Sequence, residues 1–360
     1  MARESCRNDA ALNDANRGAL TQSRVARAIV IGAGQIGAAI ANRLAGDGWS
    51  VTLVTRGQRA MPSDLAPGLE PLVADHGDAA SIAPILADGA DALIDTIAYD
   101  RADADRMLAL QSGLGAIVAI SSVGVYADHA GRSLGTDGAF PAMPVPITEQ
   151  QATVPPGVDS YAARKRAMEL ALLDDAQVPV TIIRPCAVHG PESRDPREWW
   201  FVKRLFDRRT RIPVAYRGAS QFQTSATVNI AGVVAAALAV PGTRVLNAVD
   251  PDQPTISEIG SAIMAAVGRD AELVAMPGAP IGSVGYTPWS VALPFVCSDA
   301  AARAIGYVRA VDYASGVVAA CRWLSDAVPR DDWASILTGL AKYPYDLFDY
   351  AAEDRWLATA

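Results

Sequence analysis

Apolar runs of strand length alternate with longer segments of helical periodicity through the first half of the chain. Ala28-Ile29-Val30-Ile31 is an unbroken apolar run, Gly32-Ala33-Gly34-Gln35-Ile36-Gly37 is a turn, and Ala38 to Leu44 places apolar residues at helix spacing. The helix closes at Gly46-Asp47-Gly48, and Ser50 to Thr55 follows as a second strand. Further strands are predicted near residue 70, over Ala92 to Ala98 and over Ile117 to Ser122. A helix bearing Tyr161 and a strand from Val178 to Arg184 come next. Such alternation predicts an α/β fold with a doubly wound parallel sheet.

Beyond Pro185 the pattern is mixed, which predicts a smaller lobe with helices near 257–267 and 312–325. Thr243 to Asn247 is predicted to return to the main sheet, and the apolar segment Ile230 to Val240 to form a helix buried against it. Four parts are expected: a polar N-terminal extension (1–26), a nucleotide-binding domain (27–185), a substrate-binding lobe (186–328) and an aromatic-rich extension (329–360). Asp128 to Val158 is rich in Gly and Pro and lacks periodicity, so it reads as a long loop across a cleft. The last part carries Trp333, Tyr343, Tyr345, Phe348, Tyr350 and Trp356. Burying each would contribute roughly 1.5–3 kcal/mol, so this segment is expected to dock on its own subunit or on a partner.

Composition narrows the function classes. A net charge of -8 over 360 residues argues against a nucleic-acid surface. Cys6, Cys186, Cys297 and Cys321 are scattered without a C-x-x-C pair, as reduced thiols of a cytoplasmic protein would be. His76, His129 and His189 lack ligand spacing, so no metal site is expected. The polar first 27 residues carry no apolar run of signal-peptide length, and no stretch of about 18 apolar residues suggests a membrane span.

Three local features carry chemistry. The glycines between the first strand and helix suit a tight turn, close approach of backbone to a pyrophosphate, and close packing of helix on strand, which makes the sheet Rossmann-type. Tyr161 and Lys165 stand four apart and therefore share one helix face. A lysine ammonium beside a phenol favours the phenolate, so the pair is expected to exchange a proton with an alcohol or ketone. Ser121-Ser122 end an apolar strand at the edge where ligands of an open parallel sheet collect.

Together these residues resemble the extended short-chain dehydrogenase/reductase superfamily, also called the NAD-dependent epimerase/dehydratase family. The likeness spans about residues 27 to 327 and includes Gly77-Asp78, Val125-Tyr126, Thr148-Glu149, Arg184-Pro185, Val188, Gly190-Pro191, Leu246-Asn247 and Thr255 to Ile259. It implies Ser122, Tyr161 and Lys165 as the catalytic set, with Tyr161 exchanging the proton, Ser122 holding the substrate oxygen and Lys165 bonding the nicotinamide ribose. The implied cofactor contacts are Gly32, Gly34, Gln35, Ile36, Gly37, Thr55, Arg56, Asp78, Ala98, Tyr161, Lys165 and Pro185, with Asp78 on the adenine and Pro185 near the nicotinamide. Tyr99, Val123, His189 and Trp200, with Trp199 and Phe201 beside it, are candidates for the substrate wall. For His189 a packed or solvent-facing role is the alternative, and for the Trp pair a core or subunit contact.

Departures from the family pattern narrow the expectation. Ile31 stands where extended members place their first glycine. Thr55-Arg56-Gly57, with Arg59 nearby, replaces the acidic residue of NAD-preferring members, so NADP(H) is expected over NAD(H). Val123-Gly124 replaces the Asp-Glu pair of dehydratases, and Ala187 the asparagine of many sugar epimerases. The expected activity is therefore a reductase or dehydrogenase acting on a small-molecule ketone or alcohol. A nucleotide-sugar epimerase and a non-enzymatic dinucleotide-binding regulator are the alternatives. The resemblance also implies a homodimer through helices that include Ala102 to Ser112 and Ser160 to Asp174.

Overall fold

Seven apolar strands gather into one parallel sheet because helices cover both of its faces. The computed structural model describes residues 24–58, 60–69 and 71–360; the readings made on residues 1–23, Cys6 among them, and on Arg59 lie outside these. The strands in chain order are β1 Arg27–Ile31, β2 Ser50–Thr55, β3 Pro71–Val73, β4 Ala92–Asp95, β5 Ile117–Ile120, β6 Val180–Pro185, β7 Ala187–His189, β8 Arg211–Val214, β9 Thr224–Ala226, β10 Arg244–Ala248 and β11 Glu272–Ala275. The main sheet runs β10-β6-β5-β4-β1-β2-β3. Every position of β4, β5 and β6 is buried, which is why they are mostly apolar, with Asp95, Thr181 and Arg184 as the polar exceptions.

One face packs on the helices Gln35–Gly46 and Thr227–Ala239 through Ile40, Leu44, Ile230 and Val234. The other packs on Arg101–Ala109 and Tyr161–Asp175 through Met107, Met168 and Leu172. The strand order reverses between β1 and β4, and a crevice for ligands opens there at the carboxyl ends. As expected, β10 joins the sheet beside β6 and the apolar segment around 230–240 is a helix on the sheet.

Two predicted strands end early for local reasons. β4 stops at Asp95, three residues before Ala98, because the Asp95 carboxylate accepts the Ile97 and Ala98 amides at 2.8 and 2.7 Å. β5 stops at Ile120 because Ser122 caps a short turn, its Oγ accepting the Gly124 amide at 3.0 Å. The first helix starts at Gln35, so Gln35, Ile36 and Gly37 belong to the helix and not to the turn.

After β6 the chain builds a second core around Trp199, Trp200, Phe201, Trp289, Tyr313 and Leu340. It carries the two small parallel pairs β7-β9 and β8-β11. The C-terminal extension docks on this core within its own chain. Buried Arg204 donates to Leu347 O at 2.7 Å, pairs with Glu353 and lies 3.5 Å over the Trp200 ring; Tyr350 donates to Asp207 at 2.6 Å. The 128–158 segment forms no long element but is pinned at both ends. Asp128 accepts the Ala130, Arg132 and Ala142 amides, and Ile147 donates to Val296 O at 2.7 Å. Among the described residues, no helix is long and apolar enough to cross a membrane and no acidic, His or Cys cluster could hold a metal.

Candidate active site

The glycine turn is shaped by contacts that a side chain would break. Gly32 has φ +99, and a Cβ there would come within 2.4 Å of Thr96 Oγ1. A Cβ on Gly37 would fall 1.7 Å from Gly32 O, so helix and strand approach at that point because only hydrogen separates them. Gly34 is different: a Cβ there meets nothing, and as the helix N-cap it supplies no side-chain oxygen to the first-turn amides. The first turn carries no acidic residue either. Those amides face an open approach at the positive end of the helix, which fits the pyrophosphate of a dinucleotide. Gln35 Oε1 is buried beside it without a partner.

At the end of β2, Thr55 Oγ1 accepts the Gly57 amide at 3.3 Å, and Arg56 is exposed and in no ion pair among the described residues. Asp78, expected on the adenine, uses its carboxylate locally. It accepts Ala80 N at 3.0 Å and Ser81 Oγ at 3.1 Å, capping the turn that follows. His76 lies in the field of Asp95 and Arg56; burial lowers its pKa and Asp95 works against that.

The three groups of the expected catalytic set come together. Tyr161 opens the Tyr161–Asp175 helix, whose N-cap Ser160 accepts the Ala163 amide at 3.1 Å. Lys165 sits one turn on with its Nζ 6.0 Å from the centre of the Tyr161 ring, and Ser122 stands beside Tyr161: a Cβ on Gly124 would lie 3.2 Å from Ser122 Oγ and 3.8 Å from the Tyr161 ring. Tyr99 joins them, its ring centre 5.7 Å from that of Tyr161.

The electrostatics correct the expectation drawn from spacing. Half of Tyr161 is exposed, yet burial around its hydroxyl raises its pKa, Ser122 pulling it down and Tyr99 adding to the rise. The lysine contributes no lowering because its ammonium is aimed elsewhere: Nζ donates to Ala98 O at 2.6 Å and Ile120 O at 2.9 Å. Burial instead lowers Lys165 itself, to about 8, against the pull of Asp95 and Glu169.

That shift has a sign that can be checked. An unfolded lysine titrates near 10.4, so between pH 8 and about 10.4 the unfolded chain binds more protons than the folded one, and stability rises with pH across the window. Below pH 8 the contribution is flat. Relative to Lys165→Met, the wild type should gain about 1–2 kcal/mol between pH 7.5 and 9.5 in denaturant titrations. A constant gap would show that the amine titrates like a free one.

The remaining substrate candidates are placed differently from Tyr99. Val123 is buried in a small cluster with Tyr126 and Phe295. Trp200, with Trp199 and Phe201, is wholly buried in the second core, so it walls no open cleft. His189 is also buried; its Nε2 lies 2.7 Å from Asp250, which in turn accepts Thr224, Ala226 and Asn229. That makes it a structural histidine. Pro185 ends β6, and the following Cys186 thiol is pushed up to about 12, chiefly by burial. Sequence reasoning missed Asp95, a buried carboxylate at the end of β4 whose pKa is raised by burial and which acts on both His76 and Lys165. An acid closing the apolar run Ala92-Leu93-Ile94 was its signal.

Comparison with known proteins agrees with this geometry. The model of the NAD dependent epimerase/dehydratase family matches residues 28–211. No curated protein matches the sequence. Among solved structures, the chain is similar to the Bordetella bronchiseptica enzyme WbmH in complex with NAD+ at 17% identity and TM-score 0.64, covering 84% of this chain and 99% of that one. It is similar to the Thermus thermophilus UDP-glucose 4-epimerase complex with NAD at 17% identity and TM-score 0.62, covering 84% and 100%. A UDP-glucuronic acid 4-epimerase from Bacillus cereus, in complex with UDP-glucuronic acid and NAD, matches at 16% identity and TM-score 0.61, covering 83% and 99%. At these identities the likeness is one of fold.

Proposed function

We propose, since the chain belongs to the NAD dependent epimerase/dehydratase family, that it is an NAD(P)-dependent enzyme interconverting an alcohol and a ketone at one substrate carbon through Ser122, Tyr161 and Lys165. The observation that carries this is the meeting of the Tyr161 phenol with Ser122 beside it and a buried Lys165 amine one turn on, at the strand ends that also bear the glycine turn. Ser122 would hold the substrate oxygen and Tyr161 would move the proton at that atom. With its pKa raised, Tyr161 is protonated at neutral pH and is set to donate. A bound nicotinamide would supply or accept the hydride. Lys165 would leave one of its two carbonyls to meet the ribose, as the family resemblance implies.

Nucleotide-sugar epimerisation is the first reading of the turnover, supported by the likeness, over 83–84% of this chain, to UDP-sugar 4-epimerases. An NADP(H)-dependent ketone reductase is the second. It is favoured by the exposed, unpaired Arg56 at the end of β2 and by Ala187 in place of asparagine. The test incubates the protein with NAD+ and UDP-glucose or UDP-glucuronic acid and follows the sugar configuration by NMR, beside NADPH oxidation with ketones and aldehydes. Failure of both arms with cofactor bound would overturn the enzymatic reading in favour of a dinucleotide-binding regulator.

Arg56→Ala separates the cofactors. If Arg56 meets a 2′-phosphate, the variant should bind NADPH about tenfold or more weakly, the worth of a charge-assisted hydrogen bond, and NADH unchanged. Equal effects on both, read by fluorescence titration, would remove that role. A homodimer through the outer faces of the Arg101–Ala109 and Tyr161–Asp175 helices is part of the same proposal, and light scattering checks it.

A further inference from the structure

The two carbonyls that hold the Lys165 ammonium are anchored in different ways. Ile120 ends β5 in register with Ile183 of β6, and Ser121 N donates to Ile183 O at 2.7 Å, so the sheet fixes the direction of Ile120 O. Ala98 O lies outside any strand, in the turn between β4 and the Arg101–Ala109 helix. The Ala98 methyl is buried, but its neighbours Ile97 and Tyr99 are 41% and 37% exposed, so packing alone grips this turn weakly.

Two carboxylates supply the grip. Oδ1 of buried Asp95 accepts the amides of both Ile97 and Ala98. Oδ2 of Asp103, in the first turn of the helix that follows, accepts the Tyr99 amide at 2.6 Å and the Asp100 amide at 3.2 Å. The Tyr99 N–H and the Ala98 C=O belong to one planar trans peptide and point opposite ways, so holding the first directs the second at Lys165. The turn also reaches the cofactor side: Thr96 Oγ1 donates to Ile31 O at 2.8 Å, where the glycine turn begins. Its Tyr99 ring stands beside that of Tyr161.

We infer that Asp103 and Asp95 are positioning residues of this site: between them they lock the Ala98–Tyr99 peptide, whose carbonyl holds the Lys165 ammonium one turn from Tyr161. Neither carboxylate needs to touch substrate; each acts through the peptide and the amine it holds. The inference deepens the proposed function and rests on it for the reaction that Lys165 serves. The placement of the amine, however, can be read without turnover.

Acetic anhydride labelling of the full chain at one fixed pH, read by peptide mass spectrometry, reports the Lys165 amine, with Lys203 and Lys342, the other lysines of the chain, as references. Asp103→Ala should label Lys165 about three- to tenfold faster, the worth of a lost hydrogen bond, with the references unchanged. Its kcat should fall about tenfold or more through the displaced amine. Asp103→Asn keeps an acceptor oxygen and should restore slow labelling and most of the rate. Asp95→Ala and Asp95→Asn both lose a charge that acts on Lys165, so the faster labelling expected of the alanine variant over the asparagine one reports the two amide bonds alone. This second pair decides the matter if Asp103→Ala loosens the whole fold and Lys203 labels faster as well. Unchanged Lys165 labelling in Asp103→Ala, or no difference between alanine and asparagine at either position, would overturn the inference. Faster Lys165 labelling in a chain that turns over neither the UDP-sugars nor the ketones and aldehydes would keep the positioning and remove the proposed reaction instead.

Discussion

Tyr161→Phe is expected to reduce turnover by about 10²–10⁴, the usual worth of a positioned general acid or base, with cofactor affinity and melting temperature unchanged. Tyr161 is half exposed, at the first position of its helix, and the contacts of its ring with Tyr99 and of its helix cap at Ser160 survive the change. What is lost is the hydroxyl beside Ser122 that would move the proton. Steady-state rates with the substrate found in the NMR or NADPH assay, beside dinucleotide titration, provide the check. A variant keeping more than about a tenth of the activity would show that the proton comes from another group.

Glu169→Leu is expected to destabilise the protein by about 3–5 kcal/mol, the cost of leaving a buried charge without its partner. Glu169 is completely buried and Arg184 is 2% exposed; they form a two-pronged pair, Nε to Oε1 at 2.8 Å and Nη2 to Oε2 at 2.5 Å. The pair ties the helix bearing Tyr161 and Lys165 to β6, whose last residue is Pro185. Arg184 also lies 4.8 Å over the Tyr126 ring, and Tyr126 donates to Asn247 Oδ1 at 2.7 Å, so β10 is held by the same chain of contacts. Denaturant unfolding measures the loss. Replacing both partners, as Glu169→Leu with Arg184→Leu, should recover much of it because the buried Arg184 charge is removed as well, and Arg166, which also pairs with Glu169 at 2.9 Å, is partly exposed and can be solvated. A single variant within about 1 kcal/mol of the wild type would contradict the account, because removing one partner of a buried pair exceeds that cost.

The legible part of the site was the part made of neighbours in sequence. The glycine turn and the Tyr161–Lys165 spacing announce a helix N-terminus and a shared helix face, and both exist. Ser122 was legible because an apolar strand ends just before it. Trp200 and His189 could be read as cleft residues or as packed ones, since neither an aromatic nor a histidine carries a label for burial in the sequence. The fold buries Trp200 under Arg204 and pairs His189 with Asp250, a residue 61 positions away. Asp95 was overlooked for the same reason: one acid at the end of an apolar run gains meaning only from what surrounds it.

Sequence alone determined the alternation of strands and helices in the first half, the parallel sheet, the glycine turn and the family, because periodicity, glycine placement and motif spacing are local properties. Only the tertiary structure decided that Lys165 aims at the Ala98 and Ile120 carbonyls and leaves Tyr161 with a raised pKa, and that the C-terminal extension docks within its own chain. Burial and electrostatic fields are sums over groups brought from distant positions, and no window along the chain contains those sums.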